Sequence, residues 1–186
     1  MKRLFDFATA LLFLIIFSVP MLVIALLIKL TSKGPVLYWS DRVGKNNLIF
    51  RMPKFRTMHL ETPVVATHLL VNPNQYITSI GNILRKSNMD ELPQLFSILK
   101  GDMSFVGPRP ALYNQDDLIE MRTEKEINAL LPGLTGWAQI SSSYELPIPV
   151  KVEFDYYYFK NKSFVLDLII LYKTLLNVMQ KIKNIW

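Results

Sequence analysis

A chain of 186 residues is long enough for one domain with its own core and too short to promise two. Hydrophobic residues make up 51% of it and charged residues 19%, so part of the apolar surface is expected to face lipid, while the formal charge of +6 suits anionic headgroups or phosphate-bearing substrates. The lack of cysteine excludes disulfides, thiolate metal sites and cysteine nucleophiles, and two histidines, His59 and His68, are too few for a histidine-rich metal centre.

Phe7 to Ile28 is a run of 22 uncharged residues, which as one helix would extend about 33 Å and could cross a bilayer. No small-residue cleavage site follows it, so the segment is expected to be retained. Pro20 lies inside the run, where it removes a backbone donor and should bend the helix, and Ser18 can satisfy a freed carbonyl. Basic residues flank both ends: Lys2 and Arg3 before, Lys29, Lys33, Arg42, Lys45, Arg51, Lys54 and Arg56 after. Because basic flanks prefer the cytoplasmic side, the balance favours a helix that enters and returns over one that crosses, and crossing stays open.

Gly34-Pro35 stops this helix, and Val36–Trp39 and Leu48–Phe50 read as a small β-hairpin around Gly44–Asn47. Residues 59–76, with Pro63 and Pro73, read as a loop. Leu92, Leu95, Phe96 and Leu99 fall at helical spacing, with Pro93 admissible in the first turn, so a helix should begin near Met89 to Leu92 and end at Gly101. A glycine- and proline-rich stretch runs to Pro110, then a charged helix over Asp116–Leu131, the Pro132-Gly133 break, and an irregular segment to about Pro149. From Val150 to Trp186, apolar and aromatic residues interleave with lysines; a helix on the headgroup layer and a core helix with solvated lysines both fit.

Asp90-Glu91 stands at a helix start, where acids commonly act as caps. Arg85 and Lys86 just upstream supply the cations that a carboxylate attacking phosphorus would need beside it. Such a carboxylate can form an aspartyl-phosphate and split a transfer into two steps, with the second acid orienting it or moving a proton. Magnesium would neutralise a diphosphate with only one or two protein carboxylates. Lys54-Phe55-Arg56 offers two cations as a phosphate clamp, or solvated edge charges. Arg109, between Pro108 and Pro110, is stiffly held and could be aimed at a phosphate, or could sit in a surface turn. Gly133, Gly136 and Trp137 suit a tight loop near substrate, although Trp137 is as easily a buried residue. His59 and His68 receive no role.

Four segments in order, Lys54-Phe55-Arg56-Thr57-Met58, Arg85 to Leu95, Leu99 to Pro110 and Pro132 to Gln139, together with Asp155-Tyr156-Tyr157-Tyr158, resemble the monotopic phosphoglycosyl transferases, a group of bacterial sugar transferases. The resemblance implies a mostly helical α+β fold: a re-entrant membrane helix over 1–33 broken near Ser18 and Pro20, then a catalytic domain over 34–186 with a small β-hairpin and interfacial amphipathic helices. It implies a ping-pong reaction at the cytoplasmic face of the bacterial inner membrane: Asp90 attacks a UDP-sugar, UMP leaves, and polyprenyl (undecaprenyl) phosphate collects the phosphosugar, with Glu91 assisting. By the same resemblance Mg2+ sits against Asp90, and Lys54, Arg56, Arg85 and Arg109 contact phosphate or nucleotide. Membrane lipids are expected partners and nucleic acid is not; a homo-oligomer stays open. Two departures stand out: Ser141-Ser142-Ser143 where relatives carry Asn-Gly-Arg, and Ser18-Val19-Pro20 where the pair at the break is usually adjacent. The rival readings are a non-catalytic membrane-anchored scaffold of a glycan assembly complex and a single-span enzyme with the same chemistry.

Overall fold

The computed structural model describes residues 1–63, 72–142 and 146–183. The middle of the expected 59–76 loop with His68, the third serine of Ser141-Ser142-Ser143, and Trp186 lie outside them.

The apolar amino-terminal run folds as two helices, α1 (Lys2–Ile16) and α2 (Ser18–Thr31), bent by 60°. The break sits at Phe17, three residues ahead of Pro20. Ser18 Oγ bonds the Ile15 carbonyl at 2.8 Å, and Pro20 falls in the first turn of α2, where a missing amide costs no internal bond. No single helix among the described residues is long and apolar enough to cross a membrane, although the bent pair together meets that test. Leu12, Ile15, Val19, Leu22, Leu26 and Leu30 are exposed along it.

Both arms of this pair pack on the rest of the chain. Ala10 of α1 enters a core with Phe50, Met52, Ile98, Phe105 and Ile170, and Ile24 and Ile28 of α2 join Phe55 and Leu84 in a second cluster. Charged residues clamp the ends. Lys2 pairs with Asp167 at 2.5 Å, and Arg3 donates to the carbonyls of Ile98 and Leu99. Asp6, only 2% exposed, accepts from Ser104 Oγ and the Phe105 amide. At the other end, Arg56 donates to the Ser32 and Lys33 carbonyls and to Ser32 Oγ.

The hairpin is longer than the sequence pattern suggests, with β1 (Leu37–Val43) antiparallel to β2 (Ile49–Phe55). Asn46 and Asn47 adopt positive φ in its turn, a conformation asparagine tolerates. A short helix α3 (Gly81–Ser87), not expected from the pattern, ends where Asn88 turns left-handed. The helix expected from Met89 divides in two: Met89–Glu91 is a 3-10 turn, and α4 (Gln94–Lys100) begins after Pro93 and ends at Gly101, φ 102°.

A second sheet, also unexpected, pairs β3 (Ser104–Val106) parallel with β4 (Gly133–Thr135). It explains the glycines of both segments, because a Cβ on Gly133 would overlap the Gly107 amide nitrogen and one on Gly136 the Gly107 carbonyl. The charged helix is shorter than expected: α5 (Asp116–Glu124) stops before Glu126 takes a positive φ and a 3-10 turn follows. After α6 (Trp137–Ser141), the carboxyl-terminal region forms α7 (Ile148–Asn161) and α8 (Phe164–Lys183). Helix α8 presents two different faces. Ile170 and Asp167 are buried in the domain, while Val165, Leu168, Tyr172, Leu175 and Met179 stay exposed.

Candidate active site

Pleating of β1 puts Tyr38, Ser40 and Arg42 on one face, and the register sets Lys54 opposite Tyr38 on that same face. The left-handed turn at Asn88 brings the Met89–Glu91 turn against the end of β2, and the segment after β3 delivers Arg109 from a third direction. These elements surround a cleft of about 630 Å³. All six residues expected at the site, Lys54, Arg56, Arg85, Asp90, Glu91 and Arg109, line it.

Glu91 Oε1 accepts from Lys54 Nζ at 2.7 Å and from Arg109 Nη2 at 2.8 Å. Burial pushes the Glu91 carboxyl up, but Arg109 and Lys54 outweigh it and hold the group well below the usual carboxylate range. Glu91 is therefore a fixed anion that organises two cations. Asp90 differs. Burial raises its pKa, Lys54 and Arg85 pull it back, and Glu91 adds to the rise. No lysine or arginine comes within ion-pair distance of its carboxylate among the described residues. Burial likewise lowers the pKa of Lys54, against the pull of Glu91.

Arg109 is set by its backbone. Between the two prolines, its own carbonyl accepts from Arg122 Nη1 at 2.9 Å, the Pro110 carbonyl from Arg42 at 3.1 Å, and the Pro108 carbonyl from the Gly133 amide at 2.9 Å. Arg122 is in turn fixed by Asp155 of α7, which is 1% exposed, through bonds of 3.0 and 2.5 Å. This gives the Asp155-Tyr156-Tyr157-Tyr158 segment a structural task.

Arg56 lines the cleft but its two terminal nitrogens are bonded at the end of α2, and the guanidinium is buried. Held there, the Arg56 guanidinium is aimed at the end of α2, while Lys54, two residues earlier on the same side of the strand, is aimed at Glu91. The Arg56 amide still bonds the Val36 carbonyl at 2.9 Å, continuing the ladder by one residue, and its side chain reaches the end of α2. Ser18 and Pro20 stand at the helix bend, outside the cleft. Trp137 stacks on Tyr157 with ring centroids 5.1 Å apart and lies outside it too.

Arg42, Lys151 and His59 line the cleft and were not anticipated. Arg42 was legible in principle, since it follows Tyr38 and Ser40 at period two. Nothing local marked Lys151, which α7 carries in from nearly a hundred residues away.

The residues present suit a divalent cation. Among the described residues no three acidic or histidine side chains gather as a metal cage. Magnesium needs only one or two carboxylates beside phosphate oxygens, and Asp90, unpaired and desolvated, is the carboxylate left to it.

A model of the bacterial sugar transferase family matches residues 1–181. The chain is 38% identical, over 96% of its length, to an Aeromonas hydrophila protein named UDP-N-acetylgalactosamine-undecaprenyl-phosphate N-acetylgalactosaminephosphotransferase, and 37% identical over 94% to the undecaprenyl-phosphate galactose phosphotransferase of Salmonella typhimurium. It spans 43% and 39% of those two proteins. It is also 36% identical, over 94% of its length, to the exopolysaccharide production protein ExoY of Rhizobium meliloti and spans 83% of it. With the dyad, the basic cleft and the apolar helix pair all inside the matched region, the chain belongs to the bacterial sugar transferase family.

Proposed function

We propose that this chain transfers a phosphosugar from a UDP-sugar to polyprenyl (undecaprenyl) phosphate at the cytoplasmic face of the bacterial plasma membrane, as the initiating membrane step of glycan assembly. One observation carries the reading: Glu91 is paired with two cations while Asp90, its neighbour, faces the same basic cleft unpaired. Six lining residues are cationic (Arg42, Lys54, Arg56, Arg85, Arg109, Lys151) against two acids, an excess that calls for a polyanion such as a diphosphate.

In the first half-reaction a carboxylate oxygen of Asp90 attacks the phosphorus bearing the sugar. The bond from that phosphorus to the bridging oxygen breaks and UMP leaves with the electron pair. In the second, an oxygen of polyprenyl phosphate attacks the same phosphorus, the Asp90 carboxylate departs, and a sugar-linked polyprenyl diphosphate forms. Arg109 and Lys54, held by Glu91, stand where charge on the transferring phosphoryl group is to be offset, and Arg85 acts beside Asp90. Bound at Asp90, Mg2+ would supply further neutralisation of the diphosphate.

The membrane helix pair is read as re-entrant. The first residues of α1 are bonded to Asp167, Ile98 and Leu99, and the end of α2 is bonded to Arg56, so one domain grips both ends. That arrangement supports a loop that dips into one leaflet and brings the cleft to the lipid surface, where the acceptor resides.

The test is intact mass of purified protein incubated with a panel of UDP-sugars and Mg2+ without lipid. Wild type should gain one phosphosugar and release UMP, and Asp90→Asn should gain none. Product formed only with both substrates present, and never an adduct, would refute the two-step course.

A further inference from the structure

Arg42 is a cation that the reaction as written above does not use. It lies on the cleft face of β1, where Nε donates to Ser40 Oγ at 3.0 Å and Nη1 to the Pro110 carbonyl at 3.1 Å. Nη2 has no partner among the described residues, and no carboxylate stands within ion-pair distance of the guanidinium. Burial first, then repulsion from Arg109, lowers its pKa to about 10, so it remains charged near neutrality. Arg122, also buried, has its charge matched by a close pair with Asp155. Lys54 and Arg109 share Glu91. Arg42 alone of these four has its charge unmatched and one donor edge open to the cleft, the arrangement that an incoming oxyanion completes.

We propose that Arg42 is a phosphate-binding residue, with Nη2 donating to a phosphate oxygen while Ser40 and the Pro110 carbonyl hold the guanidinium in orientation. The assignment rests on the proposed activity, which brings two phosphate groups to the cleft: the donor's diphosphate and the acceptor's monophosphate. Both present the same oxygen chemistry to Arg42.

The experiment uses the full chain in lipid nanodiscs, with UDP and Mg2+ as the equilibrium probe and polyprenyl phosphate as the varied acceptor in steady-state transfer. Arg42→Gln is compared with Arg109→Gln and with the double variant, and thermal midpoints check folding. Arg42→Gln is expected to weaken UDP binding by about 10- to 100-fold, with the double variant weaker than Arg109→Gln by a similar factor. That result seats the donor diphosphate on Arg42. Unchanged UDP binding with a comparable rise in KM for polyprenyl phosphate, kcat being kept, seats the acceptor phosphate there instead.

If neither quantity moves, or if the double variant is no weaker than Arg109→Gln in both assays, Arg42 only supports Pro110 and the proposal is overturned. Should Arg42→Gln lower the midpoint sharply, Ser40→Ala serves in its place, because it frees Nε without removing the guanidinium. It is expected to weaken the same phosphate-dependent quantity several-fold, and an unaltered Ser40→Ala overturns the proposal. Wild type that neither binds UDP nor forms the adduct would overturn the activity and this assignment with it, an outcome separate from a working wild type matched by Arg42→Gln.

Discussion

Arg109 reaches back across 18 residues of sequence to place Nη2 at 2.8 Å from Glu91 Oε1, the same oxygen that Lys54 contacts at 2.7 Å. One carboxylate thus sets the position of two cations drawn from different elements. Glu91→Gln keeps the shape and removes the charge, leaving both cations to repel each other across the cleft. Phosphosugar transfer should fall by roughly 10²-fold or more while the thermal midpoint moves only a few degrees. Measured kcat/KM beside a melting curve checks this; a midpoint collapse matching the loss of rate would make Glu91 a stability residue only.

Arg56 leads to the opposite expectation. Its bonds go to the end of α2, so Arg56→Gln should cost about 1–3 kcal/mol and lower the midpoint by roughly 2–12 °C. The KM for the UDP-sugar should stay close to wild type. A tenfold rise in that KM with an unchanged midpoint would return Arg56 to the phosphate site.

Gly133→Ala should yield little folded protein. Its Cβ would overlap the Gly107 backbone, which the β3–β4 pairing holds in place, so relief requires breaking the parallel pair that supports the Pro108–Pro110 segment. Gly44→Ala, in the hairpin turn, meets its neighbours at 3.0 Å or more and should be far milder. Expression and melting of the two variants side by side decide it.

The chain has no cysteine, which makes membrane topology directly measurable. A single cysteine introduced at Lys33, or one added beside Met1, should react with a membrane-impermeant maleimide in inverted vesicles and be protected in intact cells. Opposite accessibility at the two positions would mean that the helix pair crosses the bilayer.

Much of this was legible locally. The uncharged run, its basic flanks and Pro20 marked a bent apolar segment, because charge exclusion and a missing amide act within a few residues. The break nevertheless falls at Phe17, since proline is best tolerated in the first turn of the helix it would otherwise disrupt. The dyad was visible because Asp90 and Glu91 are adjacent and stand beside Arg85. What adjacency could not convey was their different surroundings, with Lys54 and Arg109 arriving at one oxygen of Glu91 and no such pair at Asp90 among the described residues.

The second sheet was hidden for the same reason. Three-residue strands carry almost no periodic signal, and their parallel pairing joins segments nearly thirty residues apart. Composition and short-range pattern by themselves determined that this protein has a bent apolar start, a hairpin and an acidic pair among cations, because each follows from neighbours along the chain. Which cations meet which acid, that Arg56 bonds the end of α2 and that Arg42 faces the cleft were decided only by tertiary structure. Those facts depend on strand register and on the packing of distant segments, and no stretch of sequence contains both sides of such a contact.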